Sequence, residues 1–252
     1  MGQGPEFFLL FHGFGQTHQD LLPLMQVLSK RGTVFAFDLF YHGESFWHNR
    51  ERPLSWKDWQ ELMEAFFLAY PSEHYEVWGY SMGAKFAIGT AFYFPEKMKA
   101  LHLLAADGLY RFWLYRAVTE IGLLRRIFRS VIVNPRPYYF VLNVFDLFRL
   151  LPKSVLKFSE TQMRTRTMRR RVYFSWVQFR KLYVPLNALV VCLRQHQVTV
   201  FGYSGAHDAV ISERQTSDFR KAMPEGHWQV YKCGHNQLPL HVALSLENGK
   251  QD

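Results

Sequence analysis

The chain has 252 residues, of which 48% are hydrophobic, 17% aromatic and 20% charged. That is too apolar for a disordered chain and long enough for one sizeable α/β core, with or without an insertion. The formal charge of +9 raises nucleic acid or anionic surfaces as partners, but it is concentrated: residues 109–185 hold 16 Lys and Arg against Glu120, Asp146 and Glu160, and the rest of the chain carries −4. No recognised nucleic-acid module accompanies these cations, so nucleic acid is not expected as a partner.

Short apolar runs alternate with amphipathic ones over the first half, the pattern of strands joined by helices in a parallel sheet. Residues 6–11 and 33–37 read as strands, with a helix over about 20–30 between them. Residues 55–69 open with a capping-type serine and set Trp56, Trp59, Leu62, Met63, Phe66 and Phe67 on one helical face before Pro71. A strand at 75–78, a helix at 82–93 and a strand at 98–105 follow. Beyond Gly108 the alternation stops, and residues 109–185 read as several helices separated by Pro135, Pro137 and Pro152. It resumes with a helix at 186–194, a strand at 198–203, a helix at 213–222, a strand at 228–232 and a last helix from about Leu238. The expected organisation is a core of residues 1–108 and 186–252 with a basic helical insertion at 109–185.

Gly79-Tyr80-Ser81-Met82-Gly83 falls between a predicted strand and a predicted helix, where G-x-S-x-G forms a sharp turn that lifts the serine above the sheet. Glycine suits such a turn because a larger side chain would collide with neighbouring backbone. A serine hydroxyl needs a base within hydrogen-bond reach and a third group to orient that base. Asp208 follows the strand at 198–203 and His235 follows the strand ending near Lys232. All three therefore sit beyond the carboxyl ends of strands, where open α/β sheets place their sites. Asp107, after the strand at 98–105, is a second acid placed beyond a strand end. His12-Gly13-Phe14-Gly15 after the first strand can offer a backbone N–H to a developing oxyanion, paired with that of Met82.

HGFG at 12–15, DLFYHGES at 38–45, GYSMG at 79–83, Asp208 in its loop and CGH at 233–235 together resemble the α/β-hydrolase family along nearly the whole chain outside the insertion. The resemblance implies a mostly parallel sheet flanked by helices, Ser81 as nucleophile, Asp208 as acid, His235 as base, and Phe14 and Met82 as backbone oxyanion donors. The choice of Asp208 over Asp107 rests on the likeness of its setting, GYSGAHD, to that family. It also implies that residues 109–185 form a lid over the site. Tyr41 stands where that family usually has glycine, so a differently shaped loop is expected there. The family usually begins with two further strands, so the sheet is expected to be shorter at that edge.

His12 is expected to brace its loop rather than react, and Asp38 to organise its own. His207, His227 and His241 match no metal-binding spacing, and no metal or cofactor is expected. Cys192 and Cys233 fit neither a disulfide framework nor a metal site and suit a reducing compartment. The opening stretch has the form of neither a secretory leader nor a myristoylation signal, and no window offers about 18 uninterrupted apolar residues. A cytoplasmic location is expected, with peripheral membrane contact left open. For the insertion, Arg164, Arg166, Arg169, Arg170, Arg171, Arg180 and Lys181 interleaved with Tyr173, Phe174, Trp176 and Phe179 suggest three roles: contact with an anionic membrane, recognition of an anionic substrate group, or a plain solvated lid.

The expected function is hydrolysis of a carboxylic ester or thioester, of a small or acyl-chain substrate, through an acyl-enzyme. C–C bond hydrolysis, acyl transfer or lyase chemistry on the same residues stays open, as does a non-catalytic ligand-binding role.

Overall fold

A computed structural model describes residues 1–49, 52–110, 113–150, 153–211 and 213–249. Strands β1 (Glu6–Phe11), β2 (Thr33–Phe37), β3 (His74–Tyr80), β4 (Met98–Leu104), β5 (Thr199–Gly205) and β6 (His227–Tyr231) form one sheet in the order β2-β1-β3-β4-β5-β6, every pair parallel. The sheet is thus parallel throughout its described strands. From β1 the chain steps outward to β2, then returns across β1 to add β3 and everything after it. The strand order reverses between β1 and β3, and such a reversal opens a crevice at the carboxyl ends of those strands.

Both sheet faces are covered, which explains the nearly continuous apolar reading of the central strands. Leu9 and Phe11 point to one face, where they pack with Trp59, Met63, Phe86 and Leu189. Phe8 and Leu10 point to the other, with Leu24, Leu28 and Val242. The first cluster is built by helices α2 (Trp56–Ala69), α3 (Met82–Tyr93), α9 (Leu186–Gln195) and α10 (Glu213–Ala222), the second by α1 (Leu22–Leu28) and α11 (Leu238–Glu247). Helix α2 starts where Ser55 caps it: the serine accepts from Asp58 N–H, and the Asp58 carboxylate takes the Ser55 N–H at 2.8 Å. The helix expected at 20–30 is instead a 3-10 turn, His18–Leu21, followed by α1 with Pro23 in its first turn.

Between β4 and α9 lie α4 (Trp113–Glu120), α5 (Gly122–Ser130), α6 (Arg136–Leu147), α7 (Lys153–Met163) and α8 (Arg166–Gln178), then a 3-10 turn. Pro135 and Pro137 do not break a helix; they start α6, at its N-cap and second position, where a missing N–H costs nothing. Pro152 lies outside the described residues. The segment is clamped by buried Arg169, whose Nε donates to Ile132 O at 3.1 Å and whose Nη1 donates to Met163 O at 3.0 Å and Arg164 O at 3.2 Å. It meets the rest of the chain where Leu54 N–H donates to Gln178 O, Phe179 packs edge-on to Phe86, and Phe14 packs against Val131, Met163 and Val172. No helix among the described residues is long and apolar enough to cross a membrane.

Candidate active site

Ser81 links β3 directly to α3 and holds φ 50°, ψ −118°, backbone space that a non-glycine residue occupies only when its surroundings enforce it. Three hydrogen bonds do so: Ser81 N–H donates to Leu104 O at 2.8 Å, and Ser81 O accepts from Ala84 N–H at 3.0 Å and from Asp107 N–H at 3.1 Å. Tight packing completes the constraint. A Cβ on Gly83 would enter the Phe11 carbonyl, and one on Gly79 would press into Ala84 and Ala87.

The structure brings Ser81, His235 and Asp208 together. His235 Nδ1–H donates to Asp208 Oδ2 at 2.6 Å, which leaves Nε2 as the lone-pair nitrogen to accept the Ser81 hydroxyl at 3.0 Å. The other Asp208 oxygen accepts Val210 N–H at 2.8 Å and Ile211 N–H at 2.9 Å, so the carboxylate, its side chain 1% exposed, has an acceptor role at both ends. Gly205 permits this: a Cβ there would lie 2.6 Å from Cys233 O, so the loops after β5 and β6 could not close on each other. The Tyr80 hydroxyl donates to His235 O at 3.0 Å and fixes the histidine backbone from the residue next to Ser81. Asp107, the rival acid, turns elsewhere. Its Oδ1 accepts Gly108 N–H at 2.7 Å and its Oδ2 lies 3.5 Å from Lys85 Nζ.

The loop after β1 is held by two buried histidines. His12 donates from Nδ1 to Gly13 O at 2.8 Å and accepts Leu39 N–H on Nε2 at 3.0 Å. His42 donates from Nδ1 to Phe40 O at 3.1 Å and accepts Gly15 N–H on Nε2 at 3.0 Å. Each therefore needs a neutral ring. Burial pushes both pKa values down, that of His42 to about 3 with His12 as a second cause. The N–H groups of Gly13, Gly15 and Gln16 are all committed, to Gln16 Oε1, His42 and Gly13 O. Among the described residues the N–H of Phe14 has no protein acceptor, and neither has that of Met82 at the orphan first position of α3.

Asp38 organises its loop, accepting His18 N–H at 2.7 Å and lying 3.1 Å from His18 Nδ1. Desolvation works against its charge, but these bonds outweigh it and hold its pKa below the usual carboxylate value. Tyr41, which stands where glycine was expected, has φ 71°, in the left-handed backbone region that favours glycine, and its ring stacks on Phe174 of α8 at 5.5 Å. Among the described residues no group of three or more His, Cys, Asp or Glu is placed to hold a metal ion.

Phe158 and Gln162, two neighbours of the site, had no signal in the sequence, and Arg171 was marked there only as one of a run of cations. From α7, the Phe158 ring lies 6.4 Å from that of His235, and Gln162 reaches Gly15 closely enough that a Cβ there would sit 3.0 Å from its Oε1. From α8, Arg171 donates to Gly15 O at 3.2 Å. His42 was legible only as a letter of the HGES motif; its bond to Gly15 bridges loops 27 residues apart.

The model of the alpha/beta hydrolase fold matches residues 6–242. The chain belongs to the α/β-hydrolase fold family. No curated sequence matches it at a significant level. Among solved structures it is similar to a carboxylesterase of the ammonia-oxidizing thaumarchaeon Nitrososphaera gargenis, with a TM-score of 0.66 and 16% identity over 99% of this chain and 91% of that one. It is likewise similar to the thioesterase domain from the curacin biosynthetic pathway, at 0.60 and 17% over 98% and 92%. A third is the meta-cleavage product hydrolase CumD, at 0.63 and 18% over 99% and 90%. Identities this low speak for the shared fold alone.

Proposed function

We propose that this protein is a serine hydrolase that cleaves a carboxylic ester or thioester through an acyl-enzyme. The observation that carries the reading is the continuous chain from Ser81 Oγ to His235 Nε2 and from His235 Nδ1 to Asp208, beside two uncommitted backbone N–H groups. Ser81 attacks the carbonyl carbon as His235 takes its proton, and Asp208 holds the ring in the tautomer that can accept it. The N–H groups of Phe14 and Met82 receive the oxyanion of the tetrahedral intermediate. His235 returns the proton to the leaving alcohol or thiol; water, deprotonated by the same nitrogen, then releases the acid and restores Ser81.

Residues 109–185 serve in this reading as the lid. Phe158 and Gln162 on α7 lie next to His235 and Gly15, so α7 forms the wall that the acyl or leaving group meets. No step requires a cofactor or metal.

Labelling with a fluorophosphonate probe tests the assignment. The adduct is expected on the peptide carrying Ser81 and absent from Ser81→Ala, whose melting temperature should match wild type. Full labelling or full esterase activity in that variant would overturn it. Failure of folded wild-type protein to label would favour a non-catalytic ligand-binding role.

A further inference from the structure

A helix of a folded domain normally turns its apolar side chains inward and leaves its polar ones to solvent. Helix α6 exposes Arg136, Asn143 and Asp146, but it exposes large apolar side chains as well. Tyr138, Leu142 and Phe145, spaced i, i+4, i+7, form its half-buried face, and the Tyr138 hydroxyl lies 2.8 Å from Ser159 of α7. Its other face carries Phe140, Val141 and Leu147, and Phe148 caps its end; they are exposed by 70%, 46%, 77% and 66% in that order. Helix α5 repeats the pattern on a smaller scale, with exposed Leu123 and Ile127 one turn apart beside exposed Arg126 and Arg129. More than half of the large apolar side chains exposed among the described residues lie within 109–185, the segment whose net charge is +13.

The cations are placed as well as numerous. Arg129 of α5 and Arg166 and Arg170 of α8 line a cavity of about 290 Å³ beside Ile132 and Val133, in the turn from which α6 departs. Among the described residues none of the three has a carboxylate partner. Exposed apolar side chains on short helices, flanked by guanidinium groups without counterions, have the chemistry of a surface that sits in the headgroup boundary of a bilayer.

We propose that α5, α6 and the start of α8 form a docking surface for an anionic membrane. The outer face of α6 enters the acyl boundary, and Arg129, Arg166 and Arg170 take lipid phosphates. A second copy of the chain fits less well, because two such surfaces would bring like charges together. Since α6 packs on α7, and α7 carries Phe158 beside His235, docking sets the membrane one helix away from Ser81.

The test is co-sedimentation of the full chain with phosphatidylcholine vesicles, with and without phosphatidylglycerol, at low and high ionic strength. Binding is expected to be at least about tenfold stronger to the anionic vesicles and to fall as salt rises. Replacing exposed side chains leaves the fold in place, so Phe140→Ser with Leu147→Ser should remove binding with no change in melting temperature. Arg129→Gln, Arg166→Gln and Arg170→Gln together should remove the preference for phosphatidylglycerol and its salt dependence. Absence of vesicle binding, or equal binding to both compositions, would overturn the proposal. So would a concentration-dependent dimer that Leu147→Ser dissolves. The readout is binding, so it is independent of the chemistry proposed at Ser81.

Discussion

The sheet with its flanking helices and the five-helix segment between β4 and α9 obey different rules in one chain. In the first, large apolar side chains are buried on both faces of a parallel sheet, the net charge is slightly negative, and glycines stand where backbones touch. In the second, the buried cluster around Val131, Met163 and Val172 is small, and much apolar surface faces outward among cations. The first region is shaped by its own interior. The second is held by a carbonyl clamp at Arg169 and by aromatic contacts such as Tyr41 on Phe174. Reactive geometry is proposed for the region with the deep core, and surface recognition for the one with apolar side chains turned outward.

The sharpest separation of the two comes from chemistry. Ser81→Ala should lower turnover by about 10⁴- to 10⁶-fold, with binding to anionic vesicles unchanged. Asp208→Asn should lower kcat by about 10⁴-fold by presenting the wrong histidine tautomer, whereas Asp107→Asn should stay within a few fold, since Asp107 faces Lys85. Comparable losses in the two variants would reverse the choice of acid.

Stability variants come next. Gly83→Ala forces a methyl group into the Phe11 carbonyl and should destabilise the whole fold by about 1–3 kcal/mol, seen in the denaturation midpoint. Arg169→Met removes three bonds to carbonyls and should cost about 1–3 kcal/mol, but locally: faster amide exchange in α5 and α8 with the exchange of β1 and β3 unchanged. Uniform acceleration would mean that the two regions unfold as one.

A further effect expected is a slope with pH. The folded pKa of His42 is depressed from 6.5 to about 3, so between those values the unfolded chain binds the extra proton. The stabilisation from the neutral ring is complete above pH 6.5 and is lost progressively as pH falls towards 3. His12, lowered in the same direction, steepens the trend. His42→Gln should flatten the dependence of melting temperature on pH over that window; an unchanged slope would place its origin elsewhere.

Much of this molecule was legible from local pattern. Strand and helix positions follow from hydrophobic period; Ser81 is readable from its G-x-S-x-G turn, and Asp208 and His235 as the acid and base it needs, each beyond a strand end, where a parallel sheet collects its loops. The glycines of GYSMG were readable for the same reason, their neighbours being the strand and helix they join. What no local pattern contains is the approach of segments distant in sequence. That approach decided that Asp208 rather than Asp107 reaches His235, that His42 spans 27 residues to hold Gly15, and that Tyr41 takes a left-handed backbone and spends its ring on α8. It also set Phe158 and Gln162 at the site and turned Phe140 and Leu147 outward. Composition alone marks 109–185 as basic and aromatic, but which side of a helix faces the core depends on what packs against the other side.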